Sequence, residues 1–444
     1  TLQHAAQSLK LFQWVYFAAR PLSLSELRLA MNVDANPDYY TFEDWRRCES
    51  YIEDDLLMQR KLRSLSGGLA EVKGGGSASI VQFIHLSVND YFLARGFQSL
   101  DVQLNSVPVV TGMSHTRLSW SCIAYLASCG INKDLLREPW VQQQDESEYP
   151  FLQYARYNYL RHARIAEENG MEQTDLFLYL GRPPVAARNS RPGPRPRPMV
   201  EYLKDGPTLL HVASRGNLPG LVAAILRHPE LCSHEPNQRD AEGQTPLTIA
   251  VLEGHKTVVE LLVMDENVDI NTRDKNGHTP LLNSVYRCQC ETAALLVARA
   301  ELDVNVQDED GWSALTYAAG FGQDNNVQRL LTREDTDVNV RDDDGRTPLA
   351  LAVRHESIAV KLLLEREDVD VNTQDKDGWT PLIKAVDERY ETNVRWLLLR
   401  HDLDLSIRDN DGNTALDHAE AYGNVCIIRQ LRVAIQASEH PSPS

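Results

Sequence analysis

Gly345-Arg-Thr-Pro-Leu349 and Gly378-Trp-Thr-Pro-Leu382 are two copies of one phrase, and their spacing decides how the C-terminal half folds. The phrase recurs as Gly243-Gln-Thr-Pro-Leu247, Gly277-His-Thr-Pro-Leu281, Gly311-Trp-Ser-Ala-Leu315 and Gly412-Asn-Thr-Ala-Leu416. Successive glycines lie 34, 34, 34, 33 and 34 residues apart. A period of this length means a solenoid of stacked units, none able to bury its apolar face alone. A looser copy opens at Gly206-Pro-Thr-Leu-Leu-His211 and is one residue short before Gly216. Atypical units are expected at the end of a stack.

The phrase predicts its own local structure. Gly takes positive φ in a tight turn at little steric cost. Thr or Ser caps a first helix, and Pro fits that helix's first turn, where the N–H has no helical partner. Leu349 and Ala352 form a narrow face for close helix approach. A second helix follows with an apolar stripe, Val258, Val259, Leu261 and Leu262 in one copy. It closes into Asp303-Val-Asn305, Asp337-Val-Asn339 or Asp370-Val-Asn372, where Asn is expected to serve a turn by tolerating left-handed φ. Asp274, Asp308, Asp342, Asp375 and Asp409 recur at one repeat position and read as turn formers. Whole-repeat spacing keeps them from converging on a calcium ion.

This register resembles the ankyrin-repeat family over residues 206–435, about seven repeats. The resemblance implies an α-solenoid with β-hairpin tips, and a concave face that holds another protein. Its contact positions fall at the tips on His278, Trp312, Arg346 and Trp379. On the inner helices they fall on Tyr286, Arg287, Phe321, Arg354, His355, Asp387, Glu388 and Tyr422. Aromatic and arginine side chains dominate interface energy. Trp312 and Trp379 read either as anchors for a partner or as packing on neighbouring hairpins. His211, His255 and His418 fall near motif positions where histidine is a structural hydrogen-bonder.

The N-terminal part is mostly helical. Ser8–Arg20 reads as a helix stopped by Pro21, and Ser23 with Glu26 has capping-box spacing for a second. Phe42–Lys61 reads as a third. A hairpin follows, with strands in Leu62–Val72 and Ser79–Ile84 around Gly74-Gly-Gly76. Helix returns from Leu118 to Leu180. This outline predicts an α+β winged-helix-like domain (1–105), a helical connector (106–180), a Pro/Arg-rich solvated linker (181–205), the repeats, and a disordered tail (436–444).

Three islands carry a second resemblance: Leu11-Phe-Gln-Trp-Val15 with Ala19-Arg-Pro-Leu-Ser23, Phe83-Ile-His-Leu-Ser-Val-Asn-Asp-Tyr91, and Tyr149-Pro-Phe-Leu-Gln-Tyr-Ala155 with His162-Ala-Arg164. Together they are similar to the segment after the nucleotide-binding module in fungal NACHT–ankyrin signalling proteins. The resemblance implies a ligand-sensing half whose nucleotide switch precedes Thr1. The chain starts at Thr1 and not at Met, which reads as part of something longer. It has no Gly-x-x-x-x-Gly-Lys-Ser/Thr phosphate cradle, so nucleotide enters only through that preceding part.

Composition narrows the partners. Lys and Arg number 45 against 63 Asp and Glu, a net charge of −18. Most of the surplus follows residue 205, which disfavours nucleic acid and anionic membrane and favours a basic or neutral protein. Seven cysteines without framework spacing read as free thiols in a reducing, intracellular, cytoplasmic setting. Cys288-Gln-Cys290 has no second pair at zinc spacing, so neither metal nor cofactor is expected. His85, Ser87 and Asp90 lie within one junction, whereas catalytic triads converge from separate segments. Ser87 is expected to cap the following helix, with Asp90 completing the box. The expected protein is therefore non-catalytic. A winged-helix DNA-binding regulator and part of an NTPase are the alternatives.

Overall fold

The computed structural model describes residues 2–33, 51–74, 79–101, 103–128, 149–173, 208–228 and 236–439. The Pro/Arg-rich segment, residues 42–50 of the expected third helix, turn residues 75–78, connector residues 129–148 and 174–180, and tail residues 440–444 lie outside them. The molecule divides into two compact units, residues 1–241 and 242–444.

In the first unit, α1 (Leu2–Phe17) starts before Ser8 and stops short of Arg20. α2 (Leu24–Asn32) has the expected box: Ser23 Oγ accepts the Glu26 N–H, and the Glu26 carboxylate accepts the Ser23 N–H at 2.7 Å. The next helix among the described residues, α3, is Asp55–Ser66, so the expected Phe42–Lys61 helix is not continuous. Residues 51–54 are not helical. The Asp54 carboxylate accepts the Leu57 N–H at 2.7 Å and fixes the start. Because α3 runs to Ser66, the first strand begins only at Ala70. β1 (Ala70–Lys73) pairs antiparallel with β2 (Ile80–Phe83), Val72 opposite Val81. α4 (Leu86–Tyr91) is capped by His85, whose Nδ1 accepts the Ser87 N–H at 3.1 Å. Ser87 sits inside the first turn, which corrects its expected role as the cap. α5 (Phe97–Leu100), α6 (Val107–Ser128) and α7 (Leu152–Glu168) follow.

One aromatic core binds these elements. Trp14 is fully buried and meets Phe151 at 5.5 Å and Tyr154 at 5.9 Å between centroids. Phe12 lies 4.2 Å from Phe92 and 6.0 Å from Phe83. The three sequence islands thus converge on one cluster, with the stacked, tilted and edge-on ring contacts that aromatic quadrupoles favour.

The loose first copy of the repeat, α8 (Leu209–Arg215) and α9 (Pro219–Arg227), belongs to this same unit. The Glu167 carboxylate at the end of α7 accepts the N–H groups of Gly220 at 2.8 Å and Leu221 at 3.0 Å. Those N–H groups have no helical partner, and the helix dipole favours an anion there. A Cβ on Gly216 would stand 2.8 Å from the tip of the Leu160 side chain, which would have to shift to admit it.

The second unit is six helix pairs. Their first helices are Pro246–Leu252, Pro280–Tyr286, Ala314–Gly320, Pro348–Ala352, Pro381–Asp387 and Ala415–Tyr422. Each is capped as expected by Thr245, Thr279, Ser313, Thr347, Thr380 or Thr414, whose hydroxyl accepts the N–H three residues on. The phrase glycines have φ between 74° and 82°. The repeated aspartates form the hairpins. Asp342 Oδ1, for one, accepts the N–H groups of Asp344 at 3.0 Å and Arg346 at 2.8 Å.

The asparagines act differently from expectation. None of Asn271, Asn305, Asn339 and Asn372 has positive φ. Each side chain instead bridges to the next repeat. Asn339 Nδ2 donates to the Asp368 carbonyl at 2.6 Å, and its Oδ1 accepts the Asp370 N–H at 2.8 Å. Asn271, Asn305 and Asn372 repeat both bonds. An arginine ladder runs beside it. Arg400 donates to the carbonyls of Leu364, Arg366 and Val369 while paired with Asp402 at 2.7 Å. Two repeats earlier Arg333 does the same to the carbonyls of Val297, Arg299 and Leu302 while paired with Asp335, and between them Arg366 donates to the Arg333 carbonyl while paired with Asp368.

Candidate partner-binding surface

The contact positions expected from the motif occupy the hairpin tips and the last turns of the first helices. They gather into two aromatic groups. In the first, Tyr317 lies at the centre, 4.8 Å from Trp312, 5.7 Å from Tyr286, 5.9 Å from Phe321 and 6.1 Å from His278. Tyr286 and Phe321 are each about half exposed, 51% and 52%, so two ring faces remain open to a partner. Arg346 lies over Trp312 at 5.8 Å while its guanidinium pairs with Asp342 at 2.8 Å and Asp344 at 2.9 Å.

In the second group, Trp379 meets His418 at 5.4 Å, and His418 meets Tyr422 at 6.3 Å. Lys384 stands 4.8 Å over Trp379 and pairs with Asp387 at 2.9 Å and Glu388 at 3.3 Å. The Tyr422 hydroxyl donates to Asp387 at 2.8 Å, and Arg389 covers its ring at 5.4 Å. Burial works to raise the Asp387 carboxyl, but hydrogen bonds from Lys384 and Tyr422 win and hold it below the usual range. Both tryptophans are half-buried. Each packs within the array and still offers an edge.

Of the remaining positions, Arg354 is exposed with Glu388 3.8 Å away, and Arg287 is exposed with no ion pair. His355 is turned inward, its Nε2 donating to the Gly320 carbonyl at 2.6 Å. A groove of about 470 Å³ brings Arg346, Arg354 and Trp379 together with Lys384 and Asp377.

Of the residues nine positions after the turn aspartate, sequence reasoning named His418 as a structural hydrogen-bonder and missed the others. There the Tyr317 hydroxyl donates to Asp308 at 2.6 Å, Asn283 donates to Asp274 at 3.1 Å, and His418 meets Asp409 at 2.6 Å. Lys384 holds the same place one repeat before His418. The signal was available, since Asn283, Tyr317, Lys384 and His418 are polar or aromatic in an otherwise apolar helix. Among the described residues no cluster of metal-ligating side chains occurs, and no helix is long and apolar enough to cross a membrane.

Known proteins match the same half. The family profile for ankyrin repeats, described in units of three copies, matches overlapping segments that run from residue 209 to residue 438. These cover more than half of the sequence, and the chain belongs to the ankyrin-repeat family. That places the repeats among protein–protein interaction modules. A solved structure, the ankyrin repeat domain of Bcl-3, "a unique member of the IkappaB protein family", is 27% identical with a TM-score of 0.44. The likeness covers 52% of this chain and 100% of that one. No match is found among curated proteins.

Proposed function

We propose that the repeats bind a protein partner on the face carrying Tyr286 and Phe321, and that the chain is the ligand-sensing half of a NACHT–ankyrin signalling protein. The binding reading rests on the Tyr317-centred aromatic group, which leaves two large rings half exposed beside Arg287. Exposed aromatics in a cluster are what an interface centre uses. Crosslinking with mass spectrometry in native cells would identify the partner. Purified partner should then lose binding to the combined Tyr286→Ala and Phe321→Ala variant, with helix content unchanged. Full retention of binding would remove this face from consideration.

The signalling context is supported by the convergence of the three islands on one core. The winged-helix reading is supported by the order of three helices and a hairpin, with Leu22 accepting the Val81 N–H at 2.9 Å as a third, minimal strand. The coding sequence upstream of Thr1 tests it: a phosphate-binding loop there agrees with the proposal, and an unrelated domain refutes it. DNA binding gains something from the corrected helix, since Arg60 and Arg63 are exposed on α3. The same helix exposes Leu56 and Leu57, at 67% and 52%, and that apolar start favours a protein face.

A further inference from the structure

Three buried polar side chains sit where α1, α6 and α7 meet. His115 Nδ1 and His162 Nδ1 are 2.7 Å apart, and His162 Nε2 is 2.8 Å from the Tyr154 hydroxyl. The Ala19 N–H, just beyond α1, donates to that hydroxyl at 2.8 Å. His115 is 6% exposed and His162 fully buried.

One tautomer assignment gives every donor of this trio an acceptor. Because Ala19 donates to the phenol oxygen, the phenol's own proton goes to His162 Nε2. His162 is therefore protonated on Nδ1 and donates to His115, whose Nδ1 is bare. The chain runs from α1 through α7 to α6 in a single direction and works only with both imidazoles neutral.

We propose that this chain is a proton-operated joint, opened when His115 Nδ1 takes up a proton and α7 parts from α6 and from the end of α1. The new N–H bond at His115 ends the hydrogen bond from His162 and sets two N–H groups against each other. An opened joint hydrates both imidazoles and takes up the second proton at His162.

Among the described residues, no anion is placed to stabilise imidazolium. From α7 comes Arg161, and from α6 the buried Cys122 thiol, itself raised by burial. From α1 comes the Phe17 ring, 5.4 Å from His115. Arg20 stands 5.4 Å over Tyr154, with its charge met by Glu26 of α2 at 2.6 Å. Burial first, then Arg161, pushes His115 down to about 4. Burial, His115 and Arg161 push His162 down to about 3. The sign follows. The closed form resists protons that the open form accepts near pH 6.5, so opening grows as pH falls below about 6.5. From pH 7.5 to 5.0 one histidine raises the opening constant about 30-fold, and both together raise it further. Glu167 at the far end of α7 shifts the other way, raised by burial against its two backbone bonds, and acid there favours closure.

Hydrogen exchange of the full chain, with times corrected for intrinsic rate, reads the joint directly. Amides of residues 15–20 and 152–166 should lose about 30-fold or more protection between pH 7.5 and 5.0. Amides of Pro280–Tyr286 and Pro381–Asp387 should keep theirs. Equal loss everywhere, or no loss at the joint, overturns the proposal, and this profile needs no variant. Tyr154→Phe should detach the Ala19 amide at both pH values while acid still loosens α7. Acid sensitivity that survives in the His115→Asn, His162→Gln double variant also overturns it.

Discussion

The Asn305 side-chain carbonyl accepts the backbone N–H of Asp337 at 2.8 Å, thirty-two residues on, while its amide donates to Asp335 at 2.7 Å. One side chain thus satisfies two backbone groups of the next repeat. Asn305→Ala removes both bonds at a site open to water, so about 1–2 kcal/mol of stability should be lost. Urea unfolding of the full chain would show it as a lower midpoint. Asn305→Asp keeps the acceptor but not the donor and should lose less.

Cys288 and Arg389 hold the left-handed conformation, with φ of 56° and 63°, where three other repeats use Gly254, Gly322 and Gly423. Side chains there strain the backbone by about 1–2 kcal/mol, partly offset because glycine gains freedom in the unfolded chain. Cys288→Gly should therefore raise stability by about 0.5–1 kcal/mol. A melting temperature that falls would show that the Gln323 amide contact to the Cys288 sulfur, at 3.1 Å, matters more than the strain.

Glu167→Ala leaves the N–H groups of Gly220 and Leu221 without their acceptor. The expected cost is about 1 kcal/mol, the usual value of a lost helix cap. Hydrogen exchange at α9 should rise while the asparagine-linked repeats stay protected.

Tyr286→Ala and Phe321→Ala remove half-exposed rings. Each should change folding stability by less than about 1 kcal/mol, because neither ring is core. Partner affinity should fall about 30-fold for each ring that is desolvated on binding, as for an anchor worth about 2 kcal/mol. Titration calorimetry with the identified partner measures both the loss and its additivity.

Local rules carried far in this chain. The Gly-x-Thr-Pro-Leu turns, the Thr caps and the Ser23–Glu26 box were legible because their partners lie within five residues. The Asn305–Asp337 and Arg400–Leu364 bonds were not, because each joins groups thirty or more residues apart. His115 and His162 are separated by forty-seven residues and gave no pattern at all. The start of α3 was not legible because one helix was expected to run from Phe42 to Lys61, whereas residues 51–54 are not helical and Asp54 caps a new start. Of the contact surface, motif position identified the outward rings Tyr286 and Phe321. It did not show that His355 would be held inward by the Gly320 carbonyl.

The one 33-residue interval, from Gly345 to Gly378, lacks a residue in the turn between helices, opposite Gly322 of the preceding repeat. Across it, Asn339 still reaches Asp370, with thirty-one residues between them instead of thirty-two. The hairpin edge therefore keeps its register while the other edge absorbs a change in length. Insertions and deletions should be tolerated at the helix–helix turns, close to the aromatic surface. At the hairpin edge a single-residue indel would unhook two neighbours at once. Such a scaffold can vary the rim of its proposed binding face by changing loop length as well as side chains.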